Sequence, residues 1–188
     1  MNHTNSFHSS DEFSTNESRE FVNWISETSL FQNYEEAFSK SSGIPLAIRP
    51  FKSSQIVIHG KSAKNKFCSI LAKKSKSCAA CLEIQSALEQ SARTSPKSIH
   101  CFAEMCETMI PIRIDKKLIA FLQTGQVFLN QPTTDGFSRI TRKLTELGAI
   151  VDLINLEEAY FQTPVFEPKQ YAGFISIHTI FAQHLAAL

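Results

Sequence analysis

The chain has 188 residues, 43% of them hydrophobic, and a formal net charge of +1. That length supports one sizeable core rather than two, and the near-neutral balance offers no global field for nucleic acid or an anionic membrane. No apolar run approaches the roughly 20 residues that span a bilayer, and the polar start lacks the apolar stretch of a secretory signal. The expected setting is therefore the cytoplasm, where thiols stay reduced. Five cysteines, an odd number, argue against a disulfide framework.

Residues 1–18 are rich in Ser, Asn and Thr and read as a disordered leader, with one domain over 19–188. Phe21, Trp24, Ile25, Phe31, Tyr34 and Phe38 recur mostly at spacings of three and four. They predict two helical stretches with a break around Thr28-Ser29 and an end near Gly43, with Trp24 and Tyr34 in the core. Residues 45–50 and 54–59 read as short strands. The lysine-rich stretch from Lys61 to Lys76 lacks interleaved aromatic or Arg residues and reads as a solvated surface. Residues 78–92, rich in Ala, Leu, Glu and Gln, predict a helix with Cys78 and Cys81 in its first turn.

Residues 98–101, 108–114 and 118–129 predict three strands. Asp115-Lys116-Lys117 joins the last two as a hairpin without the tight Asn-Gly signal. Gly125-Gln126 interrupts the third and marks a bulge or a close backbone approach. Phe137, Ile140, Leu144 and Leu147 share one helical face, with Gly148 as the stop. Asp152 caps a short helix through Tyr160. After Pro164 and Pro168, Tyr171, Phe174, Ile175, His178, Phe181 and Leu185 form an amphipathic stripe. Consecutive strands grouped with helices indicate an α+β domain with a mainly antiparallel sheet.

Chemistry is concentrated in Cys68, Cys78-Ala-Ala-Cys81 and Cys101. A C-x-x-C pair with two further thiols can hold zinc tetrahedrally or an iron–sulfur cluster. A thiol at a helix start beside lysines can instead sense redox state, and free cysteines also serve as small buried apolar groups. Cys106 falls in that last class. His59, His100 and His178 are candidate ligands or pH sensors. Arg49 and Gln126 are candidate hydrogen-bonding groups for a small polar ligand. Glu104 and Glu107 are candidates for binding a cation or a ligand hydroxyl, but read more readily as solvated carboxylates. No phosphate loop, hydrolase elbow or HExxH helix is present, and no general-base constellation accompanies the cysteines. An enzyme is therefore not expected.

Several stretches carry a family resemblance in order and spacing. They are Leu30-Phe-Gln-Asn-Tyr-Glu-Glu-Ala-Phe38 with Gly43-Ile-Pro-Leu-Ala-Ile-Arg-Pro50, then Phe67-Cys68 with Cys78-Ala-Ala-Cys81. Cys101 leading to Pro111-Ile112 follows, then Ile119-Ala-Phe-Leu-Gln-Thr-Gly-Gln-Val-Phe128 and Glu158-Ala-Tyr-Phe-Gln-Thr-Pro-Val165. Over roughly residues 28 to 188 the chain resembles the PocR-type sensory domain, a PAS-like variant found at the N-terminus of bacterial transcription regulators and signalling proteins. The resemblance implies a PAS-like α+β fold and a sensor of small organic molecules, such as diols, with no catalytic role. It also implies a downstream AraC-type helix-turn-helix domain in the full-length protein, beyond Leu188. This chain itself is not expected to bind nucleic acid or membrane, and the last helix suggests a homodimer.

Within that frame the expected ligand site comprises Cys68, Cys78, Cys81, Cys101, Phe102, Glu104 and Gln126. The alternative is a metal or thiol-redox sensor using Cys68, Cys78, Cys81 and Cys101, with zinc or an iron–sulfur cluster as cofactor. One departure stands out. The family often has Cys-His-Ala-Gly-Leu, where this chain has Cys101-Phe-Ala-Glu-Met. Phe102 thus replaces a histidine and Glu104 a glycine, so the histidine's part does not carry over.

Overall fold

The computed structural model describes residues 11–53, 62–73 and 75–188. The strand expected at 54–59, with His59, lies outside the described residues. Helix α1 (Thr15–Glu27) opens on a capping box between Ser14 and Glu17. It starts inside the stretch expected as a leader. Glu12 bridges to Leu118, and the buried Ser18 hydroxyl donates to the Ile119 carbonyl and accepts from the Phe51 amide. Residues 11–18 thus belong to the fold, because their short polar side chains serve as cap and buried donor.

Thr28 ends α1 and caps α2 (Ser29–Ser42), its Oγ1 accepting from the Phe31 amide. This is the break expected at Thr28-Ser29. Gly43 closes α2 in the left-handed conformation, at φ 72°. Trp24, expected in the core, is half exposed on α1. Next come β1 (Leu46–Pro50), α3 (Lys66–Ala72) and α4 (Ser75–Ser91). Three strands follow, β2 (Lys97–His100), β3 (Cys106–Ile114) and β4 (Lys117–Val127). They form with β1 an antiparallel sheet in the order β1-β4-β3-β2.

The β3–β4 hairpin is tighter than the sequence suggested. Asp115 and Lys116 lie at φ 48° and 68°, the two-residue geometry whose twist matches the flanking strands. The bulge expected at Gly125-Gln126 is present. Cys106 pairs with Val127 and Glu107 with Gly125, leaving Gln126 as the extra residue at φ 59°.

Helices α5 (Thr134–Glu146), α6 (Leu153–Phe161) and α7 (Pro168–Leu185) complete the mixed α+β fold expected for a PAS-like domain. Thr133 and Asp152 cap α5 and α6, and Pro168 occupies the first turn of α7. Alternation along β3 and β4 sends side chains to two buried faces. Ile110, Ile112 and Leu122 meet α1, α2 and α7. Met109 and Phe121 share a cluster with Leu88 of α4 and Ala92 just beyond it. A third cluster, with Phe67, Leu71, Met105, Phe128 and Tyr160, joins α3, α5 and α6 beside the sheet. Among the described residues no helix is long and apolar enough to cross a membrane.

Candidate functional site

The sheet face under α4 carries a buried polar network. Arg49 of β1, Gln123 of β4 and Glu107 of β3 meet Gln85 of α4, and all four are buried. Arg49 Nη1 donates to Gln85 Oε1 at 3.0 Å and to Gln123 Oε1 at 3.1 Å, while Nη2 donates to the Ser53 carbonyl. Gln123 Nε2 donates to Gln85 Oε1 and to Glu107 Oε2, and Gln85 Nε2 donates to the same carboxylate oxygen. Glu89, one turn beyond Gln85, lies 3.7 Å from Arg49 Nη2. Arg49 Nε is buried with no partner.

Glu107, expected to be solvated, therefore lies inside the protein. Burial raises its pKa, opposed by the Gln85 and Gln123 bonds and by the Arg49 charge. Burial lowers the Arg49 pKa, opposed by Glu89 and Glu107. Each ion owes its place to the other, since a buried charge left alone is strongly disfavoured.

Against Glu107 lies a cavity of about 20 Å³ lined by Cys68, Cys81, Cys101, Phe67, Ile84 and Phe102. The volume holds about one water molecule. Phe67 and Cys68 enter from α3, which Asn65 caps by accepting from the Cys68 amide at 2.9 Å. Cys81 and Ile84, three residues apart, share the inner face of α4. Cys101 lies just past β2, in a turn where its amide donates to the Met105 carbonyl and its carbonyl accepts from Glu104. Glu104 holds that turn at φ 63°. Burial, and then the Glu107 charge, push the Cys81 and Cys101 thiols up to about 12 and Cys68 well above its ordinary value. These thiols are protonated at neutral pH, which makes them poor nucleophiles.

The four-cysteine set thus divides. Cys68, Cys81 and Cys101 share the cavity, whereas Cys78, four residues into α4, is not part of its wall. Cys106 is buried on the opposite face, in the core against α7. Among the described residues no group of three or more His, Cys, Asp or Glu side chains is placed to hold a metal ion. Of the four thiols considered for zinc or an iron–sulfur cluster, three therefore line the cavity and Cys78 does not.

The other expected residues fall in different places. Phe102 joins the thiol cavity. Glu104 points to the surface, where Arg139 Nε and Nη2 donate to its Oε1 at 3.1 and 2.8 Å. It lines a more open cleft of about 250 Å³ with His100, Tyr160 and again Cys101. Gln126 lines a third cleft, between α3 and the end of α6. His178 is fully buried on α7, its Nδ1 2.9 Å from the Tyr34 hydroxyl, and burial lowers its pKa to about 4. Gln85 and Gln123 escaped the sequence reading. The one signal for Gln123 was a polar residue inside an otherwise apolar strand, and Gln85 carried none.

The family model described as the sensory domain found in PocR matches residues 25–188, most of the chain. No curated protein and no solved structure matches it.

Proposed function

The chain belongs to the family of sensory domains found in PocR, and from that premise we propose that it is the small-molecule-sensing domain of a cytoplasmic bacterial transcription regulator. Its ligand would enter between the α4 face of the sheet and α3, beside Cys68, Cys81 and Cys101. The observation that carries this reading is the Arg49–Gln85–Gln123–Glu107 network, which reaches the thiol cavity through Glu107. Buried polar groups converging on an apolar wall fit a molecule with a hydroxyl and a short hydrocarbon body. The hydroxyl would bond Glu107, and the carbon chain would lie against Phe67, Ile84 and Phe102.

A cavity of about 20 Å³ is too small for such a ligand. Binding therefore requires a wider state, in which α3 or the turn from Cys101 to Glu104 moves outward. A ligand that binds only the wider state shifts the population towards it. Strand β3 offers a route to the last helix. It turns Glu107 to the site and Thr108 to the opposite face, where Thr108 Oγ1 lies 2.8 Å from the Tyr171 hydroxyl of α7. In this reading α7 passes the change to a downstream DNA-binding domain, in a homodimer. A thiol-redox sensor would need a thiolate, which burial opposes at Cys81 and Cys101.

The test is calorimetric titration of the chain with 1,2-propanediol and 1,4-butanediol. Saturable binding, weakened about tenfold by the isosteric Glu107→Gln change, is expected. Binding that is identical in Glu107→Gln, or absent for both diols, overturns the assignment.

A further inference from the structure

The cleft that takes Gln126 is separate from the thiol cavity and has a chemistry of its own. Its volume is about 210 Å³, and Lys64, Asn65, Lys66, Gln126, Gln162 and Thr163 supply its polar wall. Most of these groups are already engaged. Asn65 Nδ2 donates to the Gln126 backbone carbonyl at 2.8 Å, and Lys66 Nζ donates to Gln162 Oε1 at 3.1 Å. Thr163 Oγ1 donates to the Ala159 carbonyl at 3.1 Å. Gln126 differs from these: it is only 6% exposed, and its Oε1 is buried without a partner.

A buried amide oxygen with no donor costs free energy, and because it is enclosed, a ligand donor meets it once the Gln126 side chain turns toward the cleft that the residue lines. The fold also goes to some trouble to place it, since Gln126 is the bulged residue and sits at φ 59°. At the rim stand two ammonium groups, Lys64 and Lys66, and among the described residues no carboxylate lines the cleft. Positive charge at the mouth with an unmet acceptor inside calls for two features on one small molecule. It must carry an anionic group for the lysines and an O–H or N–H for Gln126.

We propose that this cleft is a second ligand site, for a small carboxylate bearing a hydroxyl or amine on the adjacent carbon. Its volume lies below the ~300–1,000 Å³ of drug-sized pockets and suits a molecule of few carbons. Asn65 ties the cleft to the thiol cavity. The same side chain donates to the Gln126 carbonyl and accepts from the Cys68 amide, so an occupant beside it bears on how α3 begins.

The experiment is an amide-resonance titration of the chain with four three-carbon probes: lactate, alanine, propionate and 1,2-propanediol. Lactate or alanine should give saturable shifts at Lys64–Lys66, Gln126 and Thr163. Propionate, which lacks the donor, and propanediol, which lacks the charge, should act there about tenfold more weakly. Gln126→Leu should weaken lactate or alanine about tenfold. Lys64→Gln, at an exposed position, should weaken them too and show the effect in a chain of unchanged stability. The proposal is overturned if neither lactate nor alanine shifts these residues, if propionate equals them, or if both variants bind as the parent does. Diol binding at the thiol cavity is read at Cys81 and Glu107, so the two sites stand or fall separately.

Discussion

On the sheet face covered by α1, α2 and α7, buried polar side chains close in small groups. Tyr171 meets Thr108, and His178 meets Tyr34, each enclosed by apolar neighbours. On the face covered by α4, a cation, a carboxylate and two amides join into one network beside a cavity. The first face is built as a core that uses polar pairs to orient its helices. The second holds charge where apolar packing would have been simpler, and it is this face that the proposed ligand site uses.

The hardest way to break this contrast is to remove the cation. Arg49→Met leaves Glu107 buried without its charge partner and should destabilise by about 3–5 kcal/mol in urea unfolding. Adding Glu107→Gln should restore most of the loss. If Arg49→Met alone is neutral, the network carries no buried charge and the contrast fails.

Acid should act mainly on the other face. His178 is held neutral, its pKa lowered from 6.5 to about 4 by burial. A depressed pKa contributes stability that is complete above the unfolded value and is lost as pH falls from 6.5 through about 4. The drop corresponds to about 3 kcal/mol. Glu107 works in the opposite sense, because its raised pKa makes the folded state the better proton acceptor. Thermal melts of the parent and His178→Leu across this window separate the two. The parent should lose stability towards acid, and the variant should lose much less. Parallel profiles would show that His178 keeps its ordinary pKa in the fold.

A smaller effect is expected at the bulge that lies between the two faces. Gly125 is at φ 125°, and a Cβ there would lie 2.6 Å from the Cys106 carbonyl oxygen and 2.8 Å from the Glu107 Cα. Gly125→Ala should cost about 2 kcal/mol of backbone strain, visible as a lowered Tm. Because Glu107 and Tyr171 flank that point, the variant should also weaken diol binding. A loss of stability with unaltered diol affinity would confine the bulge to a structural role.

Much of this organisation was legible in the chain. The break at Thr28-Ser29, the cap at Asp152, the stop at Gly148 and the bulge at Gly125-Gln126 are local chemistry, read from one or two residues. Ser14 to Ser18 were misread because a short polar side chain can cap a helix or bond a buried carbonyl as readily as it can solvate a leader. Glu107 was misread for a related reason. β3 and β4 are covered on both faces, so the alternation that marks an outward position is missing.

The sequence by itself determined the α+β class, the order of most of the described helices and strands, the thiol-rich segment and the family, since these rest on periodicity, capping and motif order along the chain. The tertiary structure alone decided which of those residues meet. Arg49 finds Gln123 across 74 positions and Gln85 finds Glu107 across 22. Three cysteines gather around one cavity while Cys78 stands aside and Cys106 faces the other way. Helical period sets the face a residue occupies, but only the docking of α3, α4 and the β2 end against the sheet sets what that face encounters.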